Sequence, residues 1–95
     1  LEFAAEPTET LDLASLVQSV CDDYHDAGQH VVVQDLQAEI IASKPVALRR
    51  ALGNLLENAF RYGDRARVSL AVMPRQVHVR IHDDGPGIPV DMVEE

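Results

Sequence analysis

Between Leu48 and Ala59 the apolar residues return every three or four positions: Leu48, Ala51, Leu52, Leu55, Leu56 and Ala59. At about 100° per residue they share one arc of a helix, and such an arc needs another layer to cover it. Further along the period changes to two. Val77, Val79 and Ile81 alternate with His78, Arg80 and His82, the pattern of a strand with one buried and one wet face. Both periods in one short chain call for helix packed on sheet.

The rest of the chain fits that frame. Leu1 to Thr10 is a lead-in, with Glu9 to Leu11 able to form a short edge strand. Asp12 is an N-cap candidate. Leu13, Leu16, Val17, Val20 and Tyr24 then keep helical spacing, and Gly28 is placed to end that helix. Val31 to Val33 is a β-branched strand, polar Gln34 to Gln37 a turn, and Ala38 to Ala42 a second strand. Ser43 can cap the next helix, with Pro45 in its first turn and Gly63 at its end. Arg67 to Met73 and Gln76 to His82 are strands joined at Pro74-Arg75; Asp83 to Pro89 is a loop, and Val90 to Glu95 the start of another helix. The order helix, strand, strand, helix, strand, strand gives a two-layer α/β sandwich with a mixed or antiparallel sheet.

The 95 residues make one domain or part of one. With no Trp and two Phe, the core is aliphatic. Eight Lys and Arg against 16 Asp and Glu leave a net charge of −8, which disfavours nonspecific nucleic-acid binding. It does not exclude a local basic cluster for one small anion, and Arg49, Arg50, Arg61, Arg65 and Arg67 lie close together in sequence. The single Cys21 has no intrachain disulfide partner and no CxxC partner for metal. No apolar run approaches the roughly 18 residues of a membrane span and no signal peptide is visible, so no direct membrane contact is expected of this segment.

Two stretches carry candidate chemistry. Asn54 and Asn58 lie one turn apart beside the apolar arc, next to Arg61, while Glu57 and Arg50 point nearly away from it. Asn is a poor mid-helix residue, so two of them ask for a reason. An amide oxygen is a hard ligand suited to Mg²⁺; the alternative is that both amides hydrogen-bond neighbouring loops. Arg61 can meet a phosphate with its forked donors or complement the helix end. Tyr62 can offer a ring to a base or sit at the core rim. In Asp83-Asp84-Gly85-Pro86-Gly87, the glycines permit close backbone approach to a ligand and Pro86 stiffens the turn. A carboxylate there accepts hydrogen bonds without donating, which suits the exocyclic amine of adenine; an ordinary acidic turn is the alternative. The four histidines share no metal spacing, since His78 and His82 stand roughly 13 Å apart on a strand. Cys21 reads as a packing residue, and His25, among Asp22, Asp23 and Asp26, as a solvated helix end. No Ser-His-Asp or Cys-His arrangement is found, and no residue is assigned as catalytic.

Taken together, the two stretches resemble the catalytic and ATP-binding domain of sensor histidine kinases, within the GHKL ATPase superfamily. Leu48 to Tyr62 looks like its N box and Asp83 to Pro89 like its G1 box. The resemblance covers nearly the whole chain. It implies the Bergerat fold, an α/β sandwich with a mixed sheet and helices on one face, and it implies ATP and Mg²⁺ as ligands. By position, Asn58 would bind the Mg²⁺ that bridges the phosphates, and Asn54 would stand one turn earlier in the same wall. Arg61 would face phosphate and Tyr62 would pack near adenine. Asp83 would accept from the adenine amino group, with Gly85 and Gly87 shaping the loop and Ile88 lining the pocket. Hydrolytic relatives place a Glu where Asn54 stands, and that Glu can activate water. Asn54 cannot, which favours phosphoryl transfer over hydrolysis.

The function the resemblance implies is transfer of the ATP γ-phosphoryl group to a histidine on another domain of the same protein, for relay to a response regulator. It would be a cytoplasmic domain of a bacterial inner-membrane sensor. An F box, a second glycine-rich box and a dimerisation domain with a phosphoacceptor histidine are expected outside these residues. The isolated chain is therefore expected to be a truncated domain that binds ATP weakly or not at all. Its open sheet face would need covering, and a homodimer is one way to do so. Two alternatives stay open: a degenerate GHKL module acting in protein interaction without turnover, and a hydrolysing GHKL ATPase.

Overall fold

A computed structural model describes residues 6–83 and 90–94. In chain order these form β1 (Glu9–Asp12), α1 (Leu13–Asp26), β2 (Val31–Leu36), β3 (Ile40–Ser43), α2 (Pro45–Tyr62), β4 (Ala66–Met73), β5 (Gln76–Asp83) and β6 (Val90–Glu94). The sheet order is β2-β4-β5-β6, with β2 and β4 parallel and the other neighbours antiparallel. β1 and β3 form a separate antiparallel pair.

Alternation in the strands and the arcs of the helices meet in one core. Ala66, Val68 and Leu70 of β4 lie beside Val77, Val79 and Ile81 of β5, with Val68 opposite Ile81 and Leu70 opposite Val79. Leu13, Leu16, Val17, Val20 and Cys21 of α1 cover this face with Leu48, Leu52, Leu56 and Ala59 of α2. Leu52 and Leu56 are each 1% exposed, and burying such a side chain contributes about 1.5–3 kcal/mol. The two-layer sandwich with a mixed sheet is as expected.

The helix ends follow local chemistry. The Asp12 carboxylate accepts from the Ser15 N–H at 3.2 Å and starts α1. At the other end the N–H groups of Gly28 and Gln29 donate to the His25 and Tyr24 carbonyls, both at 3.0 Å. Gly28, at φ 94°, supplies the left-handed residue this Schellman arrangement requires.

Three expectations are corrected. Gln34 to Gln37 is not a turn: β2 continues to Leu36 across a register shift, with Val33 opposite Val68 and Leu36 opposite Leu70. The polar pair Gln34-Asp35 is absorbed as a bulge, so the strand bends without ending. Ser43 does not cap α2, because it lies in β3 opposite Glu9. Lys44 takes the N-cap position without a side-chain bond. Instead the Glu6 carboxylate accepts from Val46 N–H at 2.7 Å and Ala47 N–H at 3.0 Å. Finally, Val90–Glu94 is a strand on the outer edge of β5, not the start of a helix. So short a segment is a poor isolated helix, and the β5 edge offers backbone groups to pair with.

Candidate functional site

Register brings the two sequence stretches together. α2 ends at Tyr62, and Ala66 already lies in β4, directly opposite Asp83 at the end of β5. Ala66 is fully buried and its N–H donates to the His30 carbonyl at 3.0 Å, pinning this corner. The last turn of α2 and the start of the Asp83 loop therefore share one end of the sandwich. Gly85, Gly87 and Ile88, expected in the loop, lie outside the described residues.

Along α2 the buried side chains are Leu48, Leu52, Leu56 and Ala59, and the neighbouring Asn54, Asn58 and Arg61 are exposed. Among the described residues neither asparagine amide has a hydrogen-bond partner. Both amides lie on one edge of the helix. Among the described residues no group of three or more His, Cys, Asp or Glu could hold a metal ion. The amide oxygens on this edge suit a hard cation, and the guanidinium suits the phosphate with which such a cation arrives.

Glu57 is the one carboxylate in α2. It turns to α1, where the Tyr24 hydroxyl donates to its Oε1 at 3.2 Å and lies 3.4 Å from the Gly53 carbonyl. Burial, and then the Glu57 charge and bond, push the Tyr24 phenol up from its ordinary value. The Tyr24 and Phe60 rings meet with centroids 5.9 Å apart. Sequence reasoning missed this contact. Its one available signal was Gly53, a weak helix former at mid-helix, which marks a close approach.

Grooves elsewhere do not coincide with this corner. One is lined by Ile40, Ile41, Met73, Pro74 and Val77, at the far end of β5, roughly 20 Å from Asp83 at the strand rise per residue.

The sequence profile of the histidine kinase-, DNA gyrase B- and HSP90-like ATPases matches residues 43–95, spanning α2 through β6. The chain belongs to this family of ATPases. Within it, the chain is 43% identical over 90 residues to the sensor histidine kinase GtrS of Pseudomonas aeruginosa, covering 95% of this chain and 19% of that protein. The ATP-binding domain of PrrB from Mycobacterium tuberculosis superposes with a TM-score of 0.78 at 24% identity, over 88% of this chain and 65% of that one. The histidine kinase domain of the Escherichia coli osmosensor EnvZ gives 0.73 at 28% identity, over 86% and 52%. The fold is thus the Bergerat sandwich of histidine kinase ATP-binding domains, and membership of this ATPase family implies ATP as ligand. The chain spans 12–19% of the length of the curated relatives it matches. No helix among the described residues is long and apolar enough to cross a membrane.

Proposed function

We propose that this chain supplies the adenine floor and metal wall of the ATP site in a bacterial two-component sensor histidine kinase. In the whole protein the γ-phosphoryl group of ATP would pass to a histidine on a separate helical domain, and from there to a response regulator. Under this reading the domain lies on the cytoplasmic side of an inner-membrane sensor, and a second copy of the chain is a further partner.

The observation that carries this reading is the pairing of Ala66 with Asp83, which sets the end of the asparagine-bearing helix beside the start of the glycine loop. Asn58 offers its amide oxygen to Mg²⁺, with Asn54 in the same wall and Arg61 toward phosphate. Tyr62 packs near adenine, Asp83 accepts from its amino group, and Gly85, Gly87 and Ile88 complete the loop side. Bound Mg²⁺ supplies charge neutralisation at the phosphates, and the protein's part is positioning. Transfer is favoured over hydrolysis because Asn54 is no base and the nearby Glu57 carboxylate is engaged by Tyr24.

Calorimetry of the full-length protein with ATP, with and without Mg²⁺, tests the site. Asn58→Ala should erase most of the gain from Mg²⁺. Asp83→Ala should weaken ATP and ADP alike, and unchanged affinity there would remove the adenine assignment. Steady phosphate release without any phosphohistidine would favour the hydrolase instead.

A further inference from the structure

Tyr24 touches α2 along a single stripe: the Gly53 carbonyl, the Glu57 carboxylate and the Phe60 ring. These positions are spaced four and three apart, so they run straight along two turns of the helix. Asn54, Asn58 and Arg61 are each one residue further on. The exposed edge read above as the metal and phosphate wall is therefore the Tyr24 stripe rotated by about 100°. We propose that Tyr24 is a positioning residue for the nucleotide site, a clasp that fixes the roll of α2 and thereby the direction in which Asn58 presents its amide. This rests on the functional reading above.

Two independent features support a built contact. The first is space. A Cβ on residue 53 would stand 3.0 Å from the Tyr24 hydroxyl, so glycine is what lets the hydroxyl reach the helix. The second is chemistry. One phenol proton faces two acceptors on successive turns, and it can hold only if both stay in register with α1. The elements also meet at Arg49, whose Nη2 donates to Ser19 Oγ at 2.9 Å. That bond lies toward the start of α2; in the C-terminal half, which carries Asn58, Leu56 and Ala59 anchor the buried face and the Tyr24 contact adds a polar hold on the flank beside the asparagine edge. A helix with side chains is about 5–6 Å in radius, so a roll of about 20° moves a side-chain tip by about 2 Å. Displacements of that size matter for a metal that demands near-ideal geometry.

The experiment is a set of variants of the full-length protein, titrated with Mg-ATP and separately with ADP in the absence of metal. Tyr24→Phe keeps the ring against Phe60 and removes only the donor. It should weaken Mg-ATP binding about three- to tenfold, the equivalent of one hydrogen bond, and leave metal-free ADP within about twofold. Glu57→Ala should match it, and the double variant should be no worse than either single one. Glu57→Gln retains an acceptor oxygen and should stay near wild type. Mg-ATP affinity unchanged in Tyr24→Phe while Asn58→Ala is crippled would overturn the clasp alone. Equal loss of metal-free ADP would also overturn it, because that marks general damage to the fold. Unchanged Mg-ATP affinity in Asn58→Ala would instead sink the site reading, and the clasp with it.

Discussion

Gly28 sits at φ 94° with nothing within 4 Å of where a Cβ would stand, so its contribution is conformational alone. Gly28→Ala should lower stability by about 1 kcal/mol, measured by urea unfolding, and Gly28→Asn should recover part of the loss. Cys21 tests a different property. It is 2% exposed, and burial first, then the Asp22 charge, push its thiol from 9.0 up to about 11. The unfolded chain therefore gives up this proton at lower pH than the folded one. The contribution to stability is whole below about pH 9 and is lost as pH rises towards 11. Cys21→Ala should remove that part of the slope in thermal melts across the window, and thiol reagents should label wild type only as it unfolds. Gly28 and Asp12 were legible in the sequence because each acts on its immediate neighbours, and Cys21 because it lies beside the apolar stripe of its own helix. Glu6 was not, since the amides it caps lie 40 and 41 residues away.

The start of α2 depends on that distant carboxylate. Two N–H groups at a helix N-terminus donate to it, and removing such a cap costs about 1 kcal/mol. Glu6→Ala should show this loss in chemical unfolding, with Glu6→Gln milder because one acceptor survives; an unchanged midpoint for Glu6→Ala would remove the cap from the account of α2. β2 shows the same limit on legibility at its other end. Its polar residues read as a turn because a bulge and a turn place similar residues in similar positions, and only the partner strand decides between them. Beyond the strand, the Gln37 N–H donates to the Leu70 carbonyl at 3.2 Å and its side-chain Oε1 accepts from the Val72 N–H at 2.6 Å. A side chain thus extends the ladder where backbone pairing stops, a substitution that residue pattern alone does not announce.

Across the whole molecule the net charge of −8 opposes compaction by self-repulsion. Salt screens charges beyond roughly 10 Å at 0.1 M. Raising NaCl from low to moderate concentration should therefore raise the melting temperature modestly in circular dichroism; a fall would mean that local ion pairs outweigh the repulsion. The candidate site was half legible at this scale. Its two stretches are local in sequence, while the approach of the α2 end to Asp83 depends on the Ala66–Asp83 register and the proposed setting of Asn58 depends on a tyrosine of the other helix. That tyrosine has a practical consequence. The chain has no Trp and two Tyr, so its ultraviolet emission arises from Tyr24 on the clasp and Tyr62 at the end of α2. A phenol beside a carboxylate is prone to quenching through its shared proton, so loosening the Tyr24–Glu57 contact should brighten the chain. The segment carries a built-in optical gauge of how tightly its two helices are engaged, readable without any label.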